Sequence, residues 1–228
     1  MIVDERIVTY IHSLELPESE IIEKIEQEAL DMRVPVIRKE TQSFLKVLLL
    51  IKKPLRILEI GAAVGFSAIL MSEYMPEGGR ITTIENYDKR IPIARRNFER
   101  AGKAGQITLL EGDALVVMKM LPGPYDFIFM DAAKGQYIQY MPEALRLLAP
   151  EGVLVSDNVL QDGEIAESRF AVERRNRTIH SRMREYLYQL KHDVRIQTSI
   201  LPLGDGIALS VRSSAAEKVW KSSMAEKM

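Results

Sequence analysis

Apolar positions recur along this chain in two rhythms, and the rhythm changes near residue 55. Over residues 4–50 apolar side chains fall at spacings of three and four. Ile21, Ile22, Ile25, Ala29 and Met32 are the clearest run, with Glu and Lys between them. One face of a helix has this period, so two or three amphipathic helices are predicted here. Val34-Pro35-Val36 interrupts the pattern, because proline cannot continue a helix and restricts the residue before it.

Beyond residue 55 short apolar runs alternate with helical patterns. Residues 56–60, 80–84, 107–111, 126–130 and 153–156 read as buried strands. Segments near 65–75, 88–101, 114–121 and 138–148 carry helical periodicity between them. Strands alternating with helices predict parallel strands joined by crossovers, hence a doubly wound α/β sheet. Residues 168–191 read as a further helix. The runs 194–201 and 207–211 flank Pro202-Leu203-Gly204-Asp205-Gly206, which predicts a closing antiparallel hairpin. The expected organisation is N-terminal helices over 1–54 packed on a core of 55–212. The polar, small-residue-rich stretch 213–228 is expected to fray.

Composition narrows this picture. A chain of 228 residues that is 46% hydrophobic, with formal charge −1, suits one soluble domain and gives no ground for indiscriminate nucleic-acid or membrane binding. Local charge is less even. Residues 4–31 hold nine acidic side chains against two basic ones, and residues 169–191 hold seven basic against two acidic. Such asymmetry can mark a side that faces a polyanion. Cysteine is absent, which excludes disulfides and thiolate metal sites and suits a reducing compartment. The start has no basic segment followed by an apolar one, and the greasiest stretch, residues 44–51, is too short to span a bilayer. A cytoplasmic protein is expected, with no membrane partner.

Candidate chemistry gathers where strands end. After the first strand comes Glu59-Ile-Gly61-Ala-Ala-Val-Gly65-Phe-Ser67, a glycine-rich turn into a helix. A dinucleotide fingerprint needs glycines at relative positions one, three and six, whereas here they lie at one and five. A P-loop is excluded, since no Gly-Lys-Ser/Thr follows. Glu59 would suit an ammonium group better than a phosphate. The second strand ends in Glu85, placed to accept from two ribose hydroxyls. The fourth ends in Asp131 and the fifth in Asp157-Asn158. Asp131, Asp157 and the amide oxygen of Asn158 form an all-oxygen set that a hard divalent cation accepts, with Mg²⁺, Mn²⁺ and Ca²⁺ all allowed. Lys134 follows three residues after Asp131, where a nearby cation would lower its pKa and let it take a proton from a hydroxyl.

Leu58-Glu-Ile-Gly-x-x-x-Gly-x-Ser67, Asp131-x-x-Lys134 and Asp157-Asn158 together resemble the metal-dependent O-methyltransferases that include the caffeoyl-CoA and catechol enzymes. The resemblance spans roughly residues 30–212. It implies a Rossmann-like methyltransferase fold, a seven-stranded, mostly parallel sheet with a C-terminal antiparallel hairpin. It implies S-adenosyl-L-methionine (SAM) as cofactor, Asp131, Asp157 and Asn158 as metal ligands, and Lys134 as the catalytic residue. Ile37, Glu59, Gly61, Ser67, Glu85, Asp113, Ala114 and Asp131 match cofactor contacts, with Gly112-Asp113-Ala114 resembling the segment beside adenine.

Within that family, Asp131-Ala-Ala-Lys-Gly-Gln-Tyr137, Asp157-Asn-Val-Leu160 and Gly204-Asp-Gly206 resemble a bacterial subgroup acting on the tRNA anticodon loop. That subgroup methylates the 5-hydroxyl of a wobble 5-hydroxyuridine to 5-methoxyuridine. In 5-hydroxyuracil the 5-hydroxyl and the 4-carbonyl oxygen are vicinal, as catechol's oxygens are, so one cation could chelate either pair. Arg174, Arg175 and Arg177, within a run from Arg169 to Arg184, are candidate contacts to a phosphate backbone. Their alternative reading is a solvated helix paired with the acidic N-terminal helices. Phe66, Tyr137, Phe170 and Tyr186 could stack a base, although Phe66 and Phe170 could equally be core. A small catechol or hydroxycinnamoyl-type acceptor remains the competing substrate. The apolar helical N-terminus and the resemblance both suggest a homodimer.

Overall fold

The computed structural model describes residues 2–213, so the expected fraying of 213–228 falls almost wholly outside the described residues. Three helices open the chain: α1 (Glu5–Ser13), α2 (Glu20–Asp31) and α3 (Lys39–Lys52). Strands and helices then alternate through β1 (Arg56–Ile60), α4 (Phe66–Glu73), β2 (Arg80–Glu85), α5 (Ile91–Arg100) and β3 (Ile107–Glu111). They continue through α6 (Ala114–Met120), β4 (Tyr125–Met130), α7 (Tyr137–Leu147) and β5 (Leu148–Ser156). The chain closes with α8 (Arg177–His192), β6 (Ile196–Leu201) and β7 (Ile207–Arg212).

All seven strands form one sheet in the order β3-β2-β1-β4-β5-β7-β6. The first five are parallel, and β7 runs antiparallel to both β5 and β6. Both faces of the sheet are covered, which is why its strands read as near-continuous apolar runs. Ile57, Phe127, Phe129, Val153 and Val155 enter one core with Ile22, Ile25, Leu45, Leu49 and Ile69 from α2, α3 and α4. Leu58, Ile60, Ile128, Met130 and Leu154 enter the other with Met118, Leu145, Tyr186 and Leu190 from α6, α7 and α8. Each fully buried Leu, Ile or Phe contributes about 1.5–3 kcal/mol, and successive residues of β1, β4 and β5 supply both cores in turn.

The topology also places a crevice. Successive connections run from β1 outward to β3, then return past β1 to β4. The loops after β1 and β4 therefore diverge side by side at the carboxyl edge, where open α/β sheets bind ligands.

Two expectations need correction. Residues 168–176 are turns, and α8 begins only at Arg177. A side chain takes the place of the helical ladder there: Arg177 donates to the carbonyls of Val172 and Phe170, while Arg184 fastens the preceding Ile165 and Glu167 carbonyls to α8. The hairpin's first strand starts at Ile196 because Asp193 accepts from the Arg195 backbone N–H and tightens a turn.

Candidate active site

A cavity of about 460 Å³ opens at the crevice between the β1 and β4 loops. Gly61, Ala62, Ala63 and Val64 form one wall, and Asp131, Ala132, Ala133 and Lys134 form the wall opposite. Glu85, Asn86 and Tyr87 close it from β2, Gly112 and Ala114 from β3, and Asn158 from β5. Pro35, Val36 and Ile37 cover it from the segment between α2 and α3. The break that Val34-Pro35-Val36 imposes on the helical pattern thus supplies the cavity's roof.

The glycine turn is shaped for close approach. Gly61 has φ +102°, and a Cβ there would stand 2.1 Å from the Asp131 carbonyl oxygen. Any side chain would push the two walls apart. Beneath the turn, Glu59 is fully buried and absent from the lining. It accepts from the Ser67 hydroxyl at 2.5 Å and from the Thr83 hydroxyl. Burial pushes its carboxyl up to about 7, although both hydroxyls pull the other way. Glu59, expected from the resemblance to contact the cofactor, sits beneath the loop and holds Ser67, which lines the cavity.

Glu85 stands at the end of β2 with its carboxylate held by three backbone donors. The Ala63 N–H reaches Oε2 at 2.7 Å, and those of Asn86 and Tyr87 reach Oε1 at 2.9 Å. Each oxygen keeps lone-pair capacity for a further hydroxyl donor. Asp113 is exposed and caps α6 by accepting from the Val116 N–H, and its neighbours Gly112 and Ala114 line the cavity.

Asp131, Asp157 and Asn158 lie on the adjacent ends of β4 and β5. Asp131 N–H donates to the Ile60 carbonyl and Asp157 N–H to that of Met130, which pins both residues to neighbouring strands. Both carboxyls are raised from the usual range, chiefly by burial; Lys134 pulls Asp131 back down, and Asp131 pushes Asp157 further up. Asn158 adopts a left-handed φ of +57°, which asparagine tolerates well, and joins the cavity lining. Asp157 is 2% exposed and sits behind it. Among the described residues no group of three or more His, Cys, Asp or Glu is assembled for a metal. The candidate set read from the sequence is two carboxylates and one amide oxygen; Asp131 and Asn158 line the cavity and Asp157 does not.

Lys134 begins a short 3₁₀ turn over Lys134–Gln136 and lines the cavity, its Nζ 3.6 Å from Asp205 Oδ2. That turn leans on α8, where Arg182 donates to the Gly135 carbonyl at 3.1 Å. Helix α8 therefore stands beside the lysine's turn. In the segment before α8, Arg169, Arg174 and Arg175 are exposed, whereas Arg177 is partly buried and spends its guanidinium on its own turn. Of the aromatics, Tyr137 and Tyr186 are fully buried and meet edge to face. Phe66 is also buried, while Phe170 is 83% exposed among the arginines. Tyr87, Arg90 and Tyr140 line the cavity unforeseen, since nothing in their sequence context distinguishes them from surface or core residues.

Comparison with known proteins fits this geometry. The family model described as O-methyltransferase matches residues 12–213. The chain belongs to the O-methyltransferase family. Within that family, caffeoyl-CoA O-methyltransferase 1 of Arabidopsis thaliana is 34% identical over 182 residues, covering 75% of this chain and 69% of the plant enzyme. The catechol O-methyltransferase of Niastella koreensis is 37% identical over 128 residues, which span 54% of this chain and only 58% of that enzyme. An O-methyltransferase from Bacillus cereus, solved in complex with SAH, superposes with a TM-score of 0.80 at 27% identity, covering 91% of this chain and 97% of that one. TomG of Streptomyces achromogenes, solved with SAM, gives 0.80 at 25% identity over 92% and 96% of the two chains. The seven-stranded sheet is thus the Rossmann-like methyltransferase fold expected from the sequence.

Proposed function

We propose that this chain transfers the methyl group of SAM to the 5-hydroxyl of 5-hydroxyuridine at the tRNA wobble position, using a divalent cation. The observation that carries the reading is one cavity lined by the Gly61 turn, Glu85, Asp131, Lys134 and Asn158, with Arg182 of α8 bonded to Gly135 next to Lys134. The neighbours solved with SAH and SAM support the cofactor assignment. The donor chemistry supports a hard cation: a buried and a half-buried carboxylate at adjacent strand ends, and an amide oxygen.

When bound, SAM supplies an electrophilic methyl group and the cation acidifies the acceptor hydroxyl. The chain's own residues do the rest. Gly61 would let the cofactor lie against backbone, Glu85 would accept from its ribose hydroxyls, and Ile37 and Ala114 would give apolar cover. Asp131, Asp157 and Asn158 would hold the cation. As the methyl passes from sulfur to the acceptor oxygen, Lys134 Nζ would take the proton that oxygen gives up. Arg169, Arg174 and Arg175 hold phosphates, and Phe170 offers a stacking face.

The names of the relatives favour a second reading, a small catechol or hydroxycinnamoyl-type acceptor, for which the chelation would be the same. One assay separates the two: methyl transfer to total tRNA from a 5-hydroxyuridine-accumulating strain, read by nucleoside mass spectrometry. 5-Methoxyuridine should form; its absence beside turnover of a catechol would reverse the choice.

We also propose a homodimer through the N-terminal helices. Helix α1 buries none of its residues, and Ile7, Tyr10 and Leu14 stay exposed, as do Val47, Leu50 and Ile51 on α3. Light scattering at micromolar concentration checks it; a monomeric mass would exclude it.

A further inference from the structure

The turn between β6 and β7 reaches back to the site. Gly204-Asp205-Gly206 lies against the segment that follows Asn158: the Val159 N–H donates to the Gly206 carbonyl at 2.9 Å, and the Leu160 N–H to that of Asp205 at 3.0 Å. A Cβ on Gly206 would stand 2.7 Å from the Leu160 backbone nitrogen, so the two strips are as close as glycine permits. Asp205 is 8% exposed and lies outside the cavity lining, yet its carboxylate is surrounded by site residues. Oδ2 stands 3.6 Å from Lys134 Nζ. Oδ1 accepts from the Asp162 N–H and lies 3.8 Å from Arg38 Nη2. Arg38 in turn bridges to Asp162 at 3.1 Å, and the Asp205 charge acts on Asp157.

Lys134 sits on a short 3₁₀ turn with 35% of its side chain exposed, so its flexible stem alone would not hold Nζ at one place. We propose that Asp205 is a positioning residue: it tethers the Lys134 ammonium over the site and clamps the loop after Asn158 with the same carboxylate. The tether acts at the moment of proton transfer, since the ammonium that forms on Lys134 meets a negative charge already in place. Arg38 and the Asp162 backbone N–H also face this carboxylate, so its second oxygen is held in place while the first points to Lys134. Asp205 never touches the acceptor or the cofactor; it acts through Lys134. The inference rests on the proposed role of Lys134 and is independent of which acceptor is used.

Asp205→Asn tests it, because a carboxamide oxygen still accepts from the Asp162 N–H while the charge facing Lys134 is gone. Two readouts apply. In protein free of metal and cofactor, acetylation of Lys134 by an amine-reactive ester at pH 7, followed by peptide mass spectrometry, should run about threefold faster in the variant. Exposed Lys119 should label at the parent rate. In the methylation assay, kcat should fall about tenfold with SAM affinity unchanged. The rising limb of its pH profile should move to lower pH, and Asp205→Glu should restore much of the rate. Parent-rate labelling of Lys134 would overturn the inference, as would a kcat loss with an unmoved pH profile. The labelling arm needs no acceptor, so it decides the matter even if neither proposed substrate is turned over.

Discussion

Gly61 and Asp131 meet backbone to backbone: a Cβ on the glycine would stand 2.1 Å from the aspartate's carbonyl oxygen. The cofactor turn and the strand carrying the first candidate metal ligand are thus packed as one unit. Gly61→Ala should cost at least about 1–3 kcal/mol through the clash and the left-handed backbone. Thermal melts and SAM titration calorimetry check this, and parent-like values in both would show that the walls can separate freely.

The paired carboxylates make a prediction about cation binding. Asp157→Ala leaves Asp131 and Asn158 facing the site without their partner, and Mn²⁺ affinity by calorimetry should drop by more than about a hundredfold. Excess chelator should likewise stop methyl transfer by the parent. Full turnover in chelator would remove the cation from the mechanism.

Glu59 gives the stability a pH dependence whose sign can be worked out. Its carboxyl lies near 7 in the folded protein against an ordinary 4.5, chiefly because it is buried. Between those values the folded state binds more protons than the unfolded one, so this group's contribution is full below about pH 4.5 and is lost as pH rises through about 7. Glu59→Gln removes the titration while keeping a hydrogen-bonding partner for Ser67 and Thr83. Its melting temperature relative to the parent should therefore climb between pH 5 and pH 8, measured without cofactor. A flat difference would mean that Glu59 stays ionised throughout.

The arginines should divide by role. Replacing Arg174 and Arg175 with alanine should weaken tRNA binding, lower its salt dependence by about two ion contacts, and leave turnover of a small catechol intact. Arg177→Ala should instead loosen the 170–172 turn and raise its proteolytic sensitivity, because that guanidinium holds the carbonyls of Phe170 and Val172. Equal loss on both acceptors in the double variant would remove the basic turn from RNA recognition.

The sheet was legible because both of its faces are buried, so β1, β4 and β5 stand out as apolar runs that end in charged residues. The candidate ligands could be found for the same reason: Asp131 and Asp157 break such runs where a topological crevice was due. Helix boundaries set by side chains were not legible. The periodicity through 168–176 looks helical, but Arg177 takes the carbonyls of Phe170 and Val172 that a helix would need. Depth was hidden as well. Glu59 and Ser67 belong to one motif, yet the strand pleat buries the first while the first turn of α4 brings the second to the cavity. The reach of Asp205 depends on a pairing between β5 and β7 that joins residues distant in sequence; locally, Gly204-Asp-Gly206 looks like an ordinary hairpin turn.

The insertion of β7 between β5 and β6 bears on the order in which the molecule can be assembled. Every strand that carries a glycine, ribose-facing or carboxylate residue precedes the hairpin in the chain. A nascent polypeptide emerging to the end of α8 could already form the five parallel strands, while Lys134 and the loop after Asn158 would still lack their clasp. The competent enzyme is then born late, when the hairpin slots into the sheet edge. A permuted chain with new ends opened between Leu203 and Gly206 would keep every cavity-lining side chain and lose that final closure.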